Sequence, residues 1–185
     1  SQVWDYEGIP FPVGRPETVA TRSAYRRRGL VRAVFALIHA RSVARGDLVQ
    51  GITGIRYFYH QFGYEFALDL GFARVLAIRD IPKPPVDTVE AYRLRDATVA
   101  DLPRVVALYD RERAGVAISA VIDERYWRWQ VDGAHRESTE RWSLQIIVDA
   151  AGSPVGYVAG EAFRQGPGPQ LFGLNVDSGV PLREA

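Results

Sequence analysis

The apolar positions of this 185-residue chain form two patterned stretches separated by a proline-rich break. In the first, Trp4, Tyr6, Ile9, Phe11 and Val13 recur in rough alternation, interrupted by Pro10, Pro12 and Pro16, which predicts a hairpin or bent strand at edge or turn positions. It leads into Glu17-Thr18-Val19-Ala20-Thr21, expected to be an apolar strand. From Leu30 to Arg45 the period becomes helical: Leu30, Val31, Val34, Leu37 and Ile38 fall on one stripe, and Gly46 is a natural stop. Residues 48–52 read as a short buried strand, which would close a right-handed strand–helix–strand unit. Residues 55–62 read as a short aromatic helix ended by a left-handed Gly63, and residues 64–78 return to strand-like composition.

Lys83-Pro84-Pro85 breaks any regular element. The pattern then restarts, so three regions are expected: 1–80, a linker over 81–90, and 91–185. Residues 92–97 alternate as a strand, and Thr98 with Asp101 offers a helix start before Leu102, Val105, Val106 and Leu108. Residues 123–131 predict a second helix in which Trp127 and Trp129 lie on different faces, so at most one of them enters a core. Asp149-Ala150-Ala151-Gly152-Ser153 between two apolar runs predicts a hairpin, and residues 171–176 a further strand.

Composition narrows the chemistry. With 47% hydrophobic and 24% charged residues the chain has the content of a globular protein, and its net charge of +1 lacks the basic excess of a nucleic-acid binder. There are no cysteines, and His39, His60 and His135 are scattered, so neither a disulfide nor a structural or catalytic metal is expected. No run approaches the ~20 apolar residues of a membrane span and no signal peptide is visible, which gives no membrane partner and a cytoplasmic location as expectations. The chain starts at Ser1 and contains no methionine, so it is expected to be an excerpt of something longer.

Against this near-neutral background one basic cluster stands out. Arg26-Arg27-Arg28-Gly29-Leu30-Val31-Arg32 joins the expected strand to the long helix. A turn closing on Gly29 can aim several backbone N–H groups at an anion, where the positive end of the helix dipole favours it, and arginine matches phosphate geometry. No Gly-Lys-Ser or Gly-Lys-Thr occurs, which excludes the nucleotide P-loop, and the turn lacks the glycines of a dinucleotide fingerprint.

What remains resembles motif A of the GNAT superfamily of N-acetyltransferases, Arg/Gln-x-x-Gly-x-Gly/Ala, with Val31 in place of the last small residue. Tyr57-Phe58-Tyr59-His60-Gln61-Phe62-Gly63-Tyr64 is similar to that family's motif B, with Tyr59 at its tyrosine position. The resemblance covers residues 13–78 and implies a GNAT-like, mixed α/β (α+β) fold: a mostly antiparallel sheet flanked by helices. It also implies acetyl-CoA as cosubstrate and transfer of its acetyl group to a primary amine on a small molecule or peptide. Backbone groups of Val19, Ala20 and Thr21 would contact the pantetheine arm, and Arg26 to Val31, with Arg32, would surround the diphosphate. Tyr59 would be the general acid toward the departing thiolate. Glu17, which would share strand parity with Val19, is the candidate base.

A complete domain of the family would carry a strand, helices and a hairpin before motif A, whereas here such elements follow the linker. The order resembles an excerpt of a tandem acetyltransferase of the enhanced-intracellular-survival type: residues 1–80 as the cofactor-binding half of one domain, 91–185 as the opening half of a second, degenerate one. Three arrangements stay open: an incomplete domain, a permuted domain completed within the chain, and a swapped dimer or other homo-oligomer. The rival to an enzyme is a noncatalytic module that binds coenzyme A or serves as a domain interface.

Overall fold

A computed structural model describes residues 1–55, 57–68, 78–81, 83, 85, 87–162 and 170–181. The chain divides into two compact units, Ser1–Lys83 with Ile118–Val121, and Pro84–Ala117 with Ile122–Ala185.

The first unit begins with the hairpin that alternation predicts. Strands β1 (Gln2–Tyr6) and β2 (Ile9–Gly14) pair antiparallel around Glu7 and Gly8, both with positive φ (51° and 88°), which matches the twist of a two-residue hairpin turn. The Gly8 N–H donates to Asp5 Oδ1 at 2.8 Å and fixes that turn. Helix α1 (Leu30–Arg45) follows as expected and ends at a left-handed Gly46, but it buries Phe35 and Ser42, while Leu30, Val34 and Leu37 of the expected apolar stripe are exposed. Strand β3 (Val49–Gln50) then pairs parallel to Val13 and Gly14 of β2. The sheet also takes up a strand from far along the chain, β5 (Ile118–Val121), antiparallel to β1, giving the order β3-β2-β1-β5. Asp47 fastens the end of α1 to β3: its Oδ2 accepts from Ser42 Oγ and from Arg45 Nη2, each at 2.6 Å. Those two donors, Arg45 first, hold its carboxyl below the usual carboxylate range.

Four local expectations are corrected. Residues 17–21 form no strand, because Pro16 has no N–H to give a ladder and Thr18 sits at φ 56°, incompatible with extended backbone. Residues 48–52 pair only over Val49–Gln50. The aromatic helix is a 3-10 turn, Phe58–Phe62, entered through a left-handed Tyr57 (φ 63°) and closed, as predicted, by a left-handed Gly63. Of the strand expected over 64–78, residues 64–68 carry no regular structure, and residues 69–77 lie outside the described residues.

The second unit has its own core. Strands β4 (Tyr92–Asp96), β6 (Trp142–Asp149), β7 (Pro154–Glu161) and β8 (Leu171–Val176) form an antiparallel sheet in that order. Helices α2 (Leu102–Arg113) and α3 (Glu124–Arg128) supply Leu102, Val105, Leu108 and Trp127 to a buried cluster with Leu144, Ile146, Tyr157 and Ala159 of the sheet. Trp127 is 1% exposed and Trp129 40%, so only one indole of the pair is in the core. Buried Gln130 donates to the Glu140 carbonyl at 3.1 Å and accepts from the Trp142 N–H at 2.7 Å, satisfying backbone groups where β6 begins.

The start of α2 uses the capping box visible in the sequence: Asp101 accepts from the Thr98 N–H at 2.8 Å while the Thr98 side chain caps the Asp101 N–H. Arg95 holds the same carboxylate with two bonds, 2.8 and 2.6 Å. Arg95 and then Thr98 drive the Asp101 carboxyl far below its ordinary value. Because the folded value lies below that of the unfolded chain, this stabilisation is fully present above about pH 4 and is lost as pH falls through the lower folded value. Asp101→Asn is therefore expected to cost about 1 kcal/mol near neutral pH and to flatten the acid limb of stability. Acid titration followed by near-ultraviolet dichroism, to which Trp127, Trp129 and Trp142 of this unit contribute, checks both.

Candidate functional site

The basic turn and the aromatic turn of the first unit are brought together by α1. The chain passes from irregular residues 17–21 through a short 3-10 turn, Ser23–Tyr25, to Arg27 at φ 62° and Gly29 at φ 72°. A left-handed residue directly before a helix turns the backbone sharply, and glycine adopts that conformation without the Cβ penalty of other residues. Gly29 is the N-cap of α1, its carbonyl accepting from the Ala33 N–H at 3.0 Å, and no side chain caps the helix. The first turn of α1 also contains no acidic residue. Its leading N–H groups have no partners within the helix, and the positive end of the helix dipole adds to them.

The side chains around this start are arginines with defined seats. Arg26 Nε donates to the Thr21 carbonyl at 3.3 Å, tying the turn to the irregular segment before it. The Arg28 guanidinium lies over the Tyr25 ring, 5.3 Å from its centroid. Arg32 donates from Nη2 to Gln61 Oε1 at 3.2 Å and lies over the Phe62 ring at 5.6 Å, so it joins the helix to the 3-10 turn Phe58–Phe62.

That turn is held by Phe35, one helical turn beyond Arg32. The Phe35 ring stacks on Phe62 with centroids 4.5 Å apart and 9° between planes, and meets Tyr59 at 5.7 Å and Tyr64 at 5.9 Å. Phe35 itself is 1% exposed. Tyr64 donates its hydroxyl to Gln50 Oε1 at 2.6 Å; burial above all, with Tyr59 nearby, pushes its phenol up to about 12, so it stays protonated at neutral pH. Tyr59 is half-buried and presses against the backbone at Gly54, where a Cβ would come within 2.1 Å of its Cε2. Only glycine admits the ring there.

Two cavities open on this arrangement. One, of about 590 Å³, is lined by Val19, Ala20, Thr21, Arg26, Arg27, Arg28, Gly29, Leu30, Val31, Arg32 and Tyr59. Nearly all the residues singled out in the sequence thus share one wall, joined by Ile55, Phe58, Gln61 and Phe62, which sequence reasoning did not assign. Phe58, Gln61 and Phe62 lie within the motif B stretch, but no role was given to them there. Glu17 is not among them: it forms an ion pair with Arg15, and the strand parity expected to aim it with Val19 does not exist. The second cavity, about 970 Å³, borders the first through Ile55, Tyr59 and Phe62. Among the described residues no group of three or more His, Asp or Glu side chains is placed to hold a metal ion, and no helix is long and apolar enough to cross a membrane.

Comparison with solved structures fixes the fold. A conserved protein of Enterococcus faecalis V583, described as a probable N-acyltransferase, matches with TM-score 0.59 and 17% identity over 95% of this chain and 43% of its own. Saccharomyces cerevisiae N-myristoyltransferase, solved with bound myristoyl-CoA, matches with TM-score 0.55 and 11% identity over 86% of this chain and 40% of its own. The fold is GNAT-like. It is the mixed α/β class, with antiparallel sheets flanked by helices, that the motifs implied. The chain spans about two fifths of the length of these two structures. No protein-family model matches the chain, and no curated protein matches it.

The Gly54 contact generates a prediction about site geometry. Gly54→Ala is expected to destabilise the first unit by about 1–3 kcal/mol, because the Tyr59 ring must leave its seat, whereas in a Tyr59→Ala background the same change should cost little. Unfolding followed through Trp4, the one tryptophan of that unit, measures the non-additivity; equal costs in both backgrounds would contradict the contact.

Proposed function

We propose that this chain is part of an acyl-CoA-dependent N-acyltransferase that moves an acetyl group from acetyl-CoA to a primary amine. The observation that carries this reading is the left-handed Gly29 at the uncapped, acid-free start of a 16-residue helix, ringed by Arg26, Arg27, Arg28 and Arg32. Backbone donors, dipole and guanidinium groups there all favour an anion such as a diphosphate. Val19, Ala20 and Thr21 offer backbone to the pantetheine arm along the same wall. Both structural neighbours, by their descriptions an acyltransferase and an enzyme bound to an acyl-CoA, agree with a coenzyme A thioester as donor.

In the reaction the neutral amine attacks the thioester carbonyl carbon, the C–S bond breaks, and the amine's proton passes to a base while the thiolate is protonated as it leaves. Tyr59 is the proposed acid: its ring borders both cavities, and its neighbours Phe35, Phe58 and Tyr64 restrict its orientation. Glu17 is the proposed base; it pairs with Arg15, a residue of the second cavity's wall. The domain order of a tandem acetyltransferase of the enhanced-intracellular-survival type remains part of the proposal, with residues 91–185 as the degenerate half. The pairing of β5 with β1 favours an arrangement in which later residues complete the sheet of the first unit.

Calorimetry with coenzyme A and acetyl-CoA tests the reading. Saturable binding is expected, weakened roughly tenfold by each of Arg26→Gln and Arg28→Gln, since a charge-assisted hydrogen bond contributes about 1.5–3 kcal/mol when fully formed and less when exposed. Thioester consumption with a panel of aminoglycosides, polyamines and lysine peptides then separates an enzyme from a binding module. Tyr59→Phe is expected to slow turnover about 10²-fold or more with binding intact; full turnover would remove Tyr59 from the chemistry.

A further inference from the structure

The larger cavity exceeds what an acetyl group needs. At about 970 Å³ it lies at the upper end of sites that bury an entire drug-sized ligand, about 300–1,000 Å³. Its wall carries the rings of Trp4, Phe11, Tyr57 and Phe66 together with Ile52 and Leu48. Among the described residues, the charged side chains that reach it are paired: Asp47 with Arg45, Arg15 with Glu17, and Glu65 with His60 at 3.6 Å. The Arg15 guanidinium further lies over the Trp4 ring at 5.8 Å, presenting that ion pair from the edge of an aromatic surface.

A largely apolar wall whose described charged side chains are paired suits a hydrocarbon chain better than a polycationic amine, which would leave its ammonium groups unmatched. The wall shared with the Arg26–Arg32 cavity, through Ile55, Tyr59 and Phe62, sets the route by which such a chain would enter. We infer that the second cavity holds the acyl chain of a coenzyme A thioester longer than acetyl, a saturated chain of medium length carried past Tyr59. The inference rests on the reading of the basic turn as a coenzyme A site and revises the transferred group of that reading from acetyl to a longer acyl chain.

The test compares coenzyme A, acetyl-CoA and octanoyl-CoA by calorimetry on this chain, with octylamine plus coenzyme A as a separate arm. Octanoyl-CoA is expected to bind at least tenfold more tightly than acetyl-CoA and to change the fluorescence of Trp4, assigned by its loss in Trp4→Phe. Phe66→Glu and Val43→Glu put a carboxylate on the cavity wall at side chains 63% and 78% exposed, where the fold tolerates polarity. Either should abolish the octanoyl advantage while leaving coenzyme A affinity within twofold. Equal affinities for acetyl-CoA and octanoyl-CoA, an advantage that survives both variants, or saturable octylamine binding without an octanoyl advantage would each overturn the inference and leave the coenzyme A site standing. Failure of all three thioester and thiol ligands to bind would instead remove the coenzyme A site and the inference with it.

Discussion

The contact on which the first unit depends is the packing of Phe35. Its ring lies flat on Phe62 and edge-on or tilted to Tyr59, Tyr64 and His39, and beside Val13 it is the large apolar side chain that the unit buries most completely among the described residues. Burial of an aromatic side chain together with such ring pairs contributes on the order of 2–4 kcal/mol. More than stability follows from it. The basic turn belongs to the start of α1 and Tyr59 to the short turn after β3, segments some thirty positions apart in sequence, and the Phe35 cluster is what makes them two walls of one cavity.

Around that contact the backbone supplies the polarity. Gly29 lets the chain swing into α1, whose first residues line the cavity, and no acidic residue competes in the first turn. The guanidinium groups around it sit on exposed residues with defined seats, Arg32 held by Gln61 and Phe62 and Arg28 by Tyr25. Backbone donors at a helix start together with arginine side chains make an arrangement suited to a diphosphate. The second unit contributes a conventional core of its own, built on Trp127, Tyr157 and the α2 leucines.

Much of this was legible in the sequence wherever a local rule governs. The helical period from Leu30, the stops at Gly46 and Gly63, the Thr98–Asp101 capping box, the Gly152 hairpin and the division of Trp127 from Trp129 each follow from interactions a few residues long. The basic turn was legible for the same reason, since Arg26 to Arg32 and Gly29 are contiguous. What was not legible depends on distant or unusual backbone. Residues 17–21 have strand composition, yet Pro16 and the left-handed Thr18 override it, and with the strand goes the parity that would have aimed Glu17. The partnership of β5 with β1 joins residues more than a hundred positions apart and leaves no local trace. Gly54 carries no signal in sequence, because its need is set by where the Tyr59 ring comes to rest.

The central claim is that the amides at the start of α1 receive the diphosphate of coenzyme A. Hydrogen–deuterium exchange with and without saturating coenzyme A addresses it without depending on turnover or on the identity of the amine. The account predicts slowed exchange concentrated in peptides spanning residues 19–33 and in the Phe58–Phe62 turn, with the Leu102–Arg113 helix unchanged. Protection absent from residues 19–33, or confined to the second unit, would contradict it.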